Sequence, residues 1–150
     1  MASTPLTPTE RILRQMWTTR EDLRANRDIV FVYGDNVARE GQRGLARQMR
    51  GESNAFPISI SWGPFEPFTH ATAAKAMAQI ELDLDTLKAR NHPLIVWPLS
   101  GIVPEFQMIP EEVHNFLRGE AKKRFVLTDP VCTQTKGATI LRSSFGAKRR

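Results

Sequence analysis

Asp28-Ile29-Val30-Phe31-Val32-Tyr33-Gly34-Asp35-Asn36 is the stretch that decides the fold class. From Asp28 to Tyr33 the chain is a continuous β-forming run, the pattern of strands buried in parallel sheets. Gly34-Asp35-Asn36 ends it with turn chemistry. Two further runs read as strands: Ala55–Ser61, which Pro57 assigns to an edge or irregular position, and Leu94–Trp97. Helical patterns alternate with them. Thr7-Pro8-Thr9-Glu10 has the form of a capping box with proline in the first turn, and Ile12, Leu13, Met16 and Trp17 then fall on one helical face. A short helix is expected from about Arg43 to Arg50, stopped by Gly51. A long one opens at Thr69 or Thr72 and runs to about Arg90, with Met77, Ile80, Leu84 and Leu87 at helical spacing. Pro110-Glu111-Glu112 starts another, whose apolar stripe is Val113, Phe116 and Leu117. Trp62–Phe68 and Pro98–Met108 read as loops, and Arg124–Leu127 as a last strand. Strands alternating with helices predict an α/β fold: a mostly parallel sheet covered by helices on both faces.

At 150 residues the chain is the size of one domain. Its 41% hydrophobic and 25% charged content predicts a globular fold rather than disorder. Apolar runs such as Ile29–Tyr33 are too short to cross a bilayer, so no membrane partner is expected. The segment from Met1 to Pro5 has neither the basic nor the apolar region of a secretory signal. Cys132 is the only cysteine, which excludes an intrachain disulfide and a cysteine-rich zinc site and fits a cytoplasmic setting. The net charge of +5 is carried by the end of the chain. Val131–Arg150 holds Lys136, Arg142, Lys148, Arg149 and Arg150 and no acid, and the rest has as many acids as bases. The expected organisation is one α/β domain over residues 1–130 and a basic tail over 131–150. Such a tail is either a solvated terminus or a weak grip on nucleic acid or another acidic surface.

In open α/β sheets, ligands bind beyond the carboxyl ends of strands. Two loops here leave such ends. In Gly34–Gly44, Gly34 permits a sharp turn or close contact, and Asp35 and Asn36 offer side-chain hydrogen bonds to a ribose or base. Gly41 and Gly44 lead into a helix start, a place that favours phosphate, and Arg43 can add charge-assisted bonds, as can Arg39. Neither a Walker A loop nor G-x-G-x-x-G is present. The alternative is that Gly34-Asp35-Asn36 is only a turn. The second loop, Pro98–Phe106, presents Ser100, Gly101 and Ile102 before the next helix, either as an anion nest or as a plain connection.

The residues Phe31–Asn36, Gly41-Gln42-Arg43-Gly44-Leu45-Ala46 and Arg50–Ile58 resemble a family of small uncharacterised phage and bacterial proteins. Ile95-Val96-Trp97-Pro98-Leu99-Ser100-Gly101 is similar to a later strand and Gly-rich loop of that pattern. The resemblance covers roughly Asp28 to Leu117. That family in turn resembles macrodomains, which bind ADP-ribose. The resemblance implies a nucleotide or ADP-ribose-like ligand held by Asn36, Gly41 and Gly44 on one side and Ser100, Gly101 and Ile102 on the other. It also implies a phage accessory protein at work in the host cytoplasm. Two departures stand out: Gln42-Arg43 interrupts the glycine run, and Val103-Pro104-Glu105 stands where a second loop glycine is expected, with Pro104 lacking an N–H.

Other constellations carry less. His70, His92 and His114 lack ligand spacing, so no metal and no resident cofactor are expected. Glu81, Asp83 and Asp85 alternate along a helix and do not share a face. Ser100 lacks a nucleophile-elbow setting. Trp62, Phe65 and Phe68 either stack on a base or fold over the core. Two functions remain open. One is a nucleotide-binding, macrodomain-like protein, which either binds without turnover or hydrolyses an ADP-ribosyl or nucleotide bond with Asp35 as general base. The other is a nucleic-acid, protein-interaction or virion-associated module that uses the basic tail.

Overall fold

The computed structural model describes residues 11–41 and 44–127. It is an α/β fold: a mixed five-stranded sheet with four helices. The elements run β1 (Arg11–Gln15), α1 (Arg20–Ala25), β2 (Val30–Asn36), α2 (Gly44–Met49), β3 (Ala55–Gly63), β4 (Glu66–Pro67), α3 (Ala73–Arg90), β5 (Leu94–Pro98) and α4 (Glu111–Arg124). The strand order is β1-β5-β2-β3-β4, with β1, β5, β2 and β3 parallel to their neighbours and β4 antiparallel to β3.

Alternation along β2 sorts the core. Val30 and Val32 pack in one apolar cluster with Ile80, Leu84 and Leu87 of α3 and Val113 and Leu117 of α4. Phe31 and Tyr33 point the other way and pack with Leu23 of α1 and Met49 of α2. The helix that follows β2 and the helix that follows β5 therefore share no cluster, although the two strands are neighbours.

Several sequence expectations are corrected. Ile12 and Leu13 lie in strand β1, which pairs with β5 over Arg11–Gln15, and not in a first helix. Ile12 packs against one cluster and Leu13 against the other, as consecutive strand residues do. The cap residues Thr7–Glu10 fall outside the described residues. The helix in this region is α1, opened by Thr19. Its Oγ1 accepts from the Asp22 N–H (3.2 Å), and Asp22 Oδ2 accepts from the Thr19 N–H (3.0 Å). Gly34-Asp35-Asn36 is not a turn after the strand but its last three residues, paired with Ile58, Ser59 and Ser61 around a bulge. Trp62–Phe68 is not a loop throughout, because β3 continues to Gly63 and pairs back with β4. Arg124–Leu127 is the end of α4 and its exit, not a strand.

Pro57 sits where its missing donor is harmless. The Ser59 N–H, two residues on and on the same flank of β3, donates not to β2 but to Asp83 Oδ2 of α3 at 2.8 Å. Asp83 is itself buried and accepts a second bond from Gln79. The expected stop at Gly51 holds: its φ of 95° is the left-handed conformation a glycine adopts after a helix. Among the described residues no helix is long and apolar enough to cross a membrane.

Candidate functional site

The bulge at the end of β2 turns Asp35 and Asn36 into the first loop. Both side chains are committed within it. Asp35 is buried, and its two oxygens accept from Arg50: Nε to Oδ2 at 2.8 Å and Nη2 to Oδ1 at 2.6 Å. Oδ1 also accepts from the Asn36 N–H (2.8 Å), and Oδ2 from the Tyr33 hydroxyl (3.3 Å). Burial, and then the Asp35 carboxylate, push the Tyr33 phenol well above its ordinary value, so it stays a donor. The hydrogen-bonded Asp35 carboxylate holds the Arg50 guanidinium above its ordinary value against the opposing effect of burial. Arg50 further donates to the carbonyls of Gly41 (2.7 Å) and Glu40 (3.1 Å). It thus ties the loop's far end to the strand.

Asn36 works the same way at shorter range. Its Nδ2 donates to the Glu40 carbonyl (2.7 Å) and its Oδ1 accepts from the Glu40 N–H (3.1 Å). Between them Arg39 takes a left-handed conformation, φ 58°, with its N–H on the Asn36 carbonyl. Gly41, with φ 96°, lies against Pro64, and Gly44 against Phe106. The geometry gives Asp35 and Asn36 the work of holding the loop. A general base needs a free lone pair, and drawing a proton onto Asp35 would disrupt its bidentate pair with Arg50.

The second loop is pinned from β1. The Leu99 N–H donates to the Gln15 carbonyl (2.9 Å), and Arg14 donates to the carbonyls of Pro98 (3.2 Å) and Leu99 (2.9 Å). Gly101 turns with φ 100° and donates its N–H to the Pro98 carbonyl. The two loops touch at Gly34. A Cβ placed there would run into the Ile102 carbonyl and come within 2.9 Å of Ile60 Cδ1. Only glycine lets the second loop lie this close to β2.

Together the loops line one open cleft of about 360 Å³. Gly34, Asp35, Asn36, Gly41 and Gly44 enter it from the first loop, and Ser100, Gly101 and Ile102 from the second. Arg43 lies outside the described residues, as does the whole of Val131–Arg150. Sequence reasoning offered Phe65 as a stacking residue but missed the other three members of the apolar rim. Met16, Trp17, Phe65 and Phe106 line the cleft and are all exposed, Phe65 at 84%. Of the three aromatics from Trp62 to Phe68, Phe65 faces the cleft, whereas Trp62 and Phe68 stack edge to face with centroids 4.7 Å apart in the core. Arg50 was also missed as a lining residue, because its partner is 15 residues away and no local pattern signals it. Among the described residues no group of three His, Cys, Asp or Glu side chains is placed to hold a metal ion.

No curated protein and no solved structure matches the chain. A family model matches residues 13–135, which includes both loops and the whole described sheet from Leu13 onward. The chain belongs to that family, DUF7831, a family of unknown function.

Proposed function

We propose that the chain is a nucleotide-binding protein with a macrodomain-like arrangement, a mostly parallel sheet with helices over both faces, and that its cleft takes ADP-ribose or a related nucleotide. One observation carries this reading. The loops leaving β2 and β5 meet in a single open cleft at the carboxyl ends of adjacent parallel strands, whose following helices pack in different clusters. That is the crevice at which open α/β sheets bind ligands. Its volume is in the range of small-molecule sites.

The rim suits a planar base, since Trp17, Phe65 and Phe106 line the cleft and make its exposed edge aromatic. Asp35 is filled by its bonds to Arg50, Asn36 and Tyr33, whereas the Asn36 amide keeps one N–H and one lone pair for a ribose or base. Backbone groups around Gly41, Gly44 and Ser100–Ile102 supply the other polar contacts. With Asp35 held by Arg50, binding without turnover is the favoured form of the reading. Calorimetry of the folded chain with ADP-ribose, NAD and cyclic nucleotides tests it. Binding is expected for at least one, and Trp17→Ala should weaken it about tenfold, since base stacking contributes roughly 1–3 kcal/mol. No heat with any of them overturns the proposal.

A further inference from the structure

On the other side of the 98–103 loop lies a second cavity of about 480 Å³, between that loop and α4. Four of its lining residues carry basic groups: Arg14, His114, Arg118 and Lys122. Among the described residues no Asp or Glu lines it. Its inner wall is apolar, made by Trp97, Leu117 and Ala121, all buried, together with Leu99 and Leu127.

The cationic side is built by spacing. His114, Arg118 and Lys122 recur every four residues and so share one face of α4. Like charges such as Arg118 and Lys122 at this spacing destabilise a helix, and among the described residues no acid pairs with either. The acid closest in sequence, Glu120, is turned to Lys123 (2.8 Å) and Arg124 (2.9 Å). Among the described residues neither Arg118 nor Lys122 forms a salt bridge; Arg118 donates only to Asn115 Oδ1. Burial, and to a smaller extent the charge of Arg118, hold the His114 imidazole below its ordinary value. A helix-dipole role accounts for Lys122 in the last turn but not for Arg118.

We propose that this cavity is a second binding site, for a small organic anion with an apolar body, such as a carboxylate or a phosphate monoester. The apolar part would lie on Trp97 and Leu117, and the head group would sit among Arg118, Lys122 and His114. The site is independent of the nucleotide reading, yet Ser100, Gly101 and Ile102 line both cavities, so an occupant on one side bears on the loop that walls the other.

The test uses the full chain with decanoate, decyl phosphate and decanol, each below its aggregation concentration, followed by calorimetry and by the ring signals of His114. Both anions are expected to bind at least about tenfold more tightly than decanol, since the charge-assisted bonds are worth that factor, and to shift the His114 signals. If one anion binds and the other does not, the head group is thereby assigned. Arg118→Glu with Lys122→Glu should remove the preference for anions while leaving decanol unchanged. Both side chains are exposed, and circular dichroism checks that the variant folds. Arg118→Gln should give an intermediate loss. Equal binding of decanol and the anions, unmoved His114 signals, or anion affinity unchanged in the double variant overturns the proposal, whatever nucleotides do at the first cleft.

Discussion

Replacing Arg50 with methionine keeps most of the side chain's length and removes its charge and donors. The Asp35 carboxylate, 1% exposed, then loses the two bonds that neutralise it and keeps only the Asn36 N–H and the Tyr33 hydroxyl. Stripping one partner from a buried ion pair costs about 3–5 kcal/mol. The Arg50 side chain is 22% exposed, and solvent screening lowers that expectation to about 2–3 kcal/mol. The Gly41 carbonyl also loses its donor, which water can replace, while the Glu40 carbonyl keeps the Asn36 amide. With a urea dependence of about 1–3 kcal/mol per molar, the unfolding midpoint should fall by roughly 1–2 M. Asp35→Asn should also destabilise, because its amide donors then face the guanidinium. The double variant should be less damaged than the sum of the two, by about 1 kcal/mol or more. The assay is urea denaturation followed by circular dichroism on all four proteins. A midpoint for Arg50→Met within about 0.3 M of the parent, or strict additivity, would refute the view that this pair holds the first loop.

Two further outcomes follow from the same geometry. Gly34→Ala should cost about 1–3 kcal/mol by overpacking, because the Ile102 carbonyl is backbone and must move as a unit with its loop; a variant as stable as the parent in urea would show that the loops do not meet there. Burial pushes the Glu52 carboxyl up, but hydrogen bonds from Arg20 and Arg27 and the charge of Arg24 hold it, on balance, below its ordinary value of 4.5. The unfolded chain then binds this proton first, so the stabilisation is full above that ordinary value and is lost as pH falls through the lower folded one. Urea midpoints should therefore drop more steeply below pH 4.5 for the parent than for Glu52→Gln; parallel profiles would contradict the assignment.

What the sequence discloses depends on how local the cause is. The run Ile29–Tyr33, the long apolar stripe of α3 and the proline-and-acid start of α4 are local, and they identify strand β2 and helices α3 and α4. Pro57 reads correctly as a residue with a free flank, because a missing donor is a property of the residue itself. The segment around Ile12 reads wrongly. Its apolar positions fit a helix over so few residues, and the decision for a strand comes from pairing with β5, more than 80 residues away. The same misreading hid part of the rim, since a helical Met16 and Trp17 would face the core. Thr19-Arg20-Glu21-Asp22 is a legible capping pattern that identifies α1 once it is noticed. At the site, the glycines and the two loops are legible as strand-end features. The commitments of Asp35, Asn36 and Arg50 to one another are long-range or conformational, so no sequence pattern separates a ligand-binding carboxylate from one that holds a loop.

The Asp83 bond to Ser59 has a consequence for how copies of the chain meet. A strand's unpaired flank is a template on which another chain can add itself. Along β3 that flank offers no donor at Pro57, and its donor at Ser59 is already taken by a buried carboxylate from the same chain. An incoming strand would have to displace Asp83 and strand its charge to reach the Ser59 N–H. The one donor on this stretch of β3 is guarded by a residue that reads, in the sequence, as one more acid on a helix.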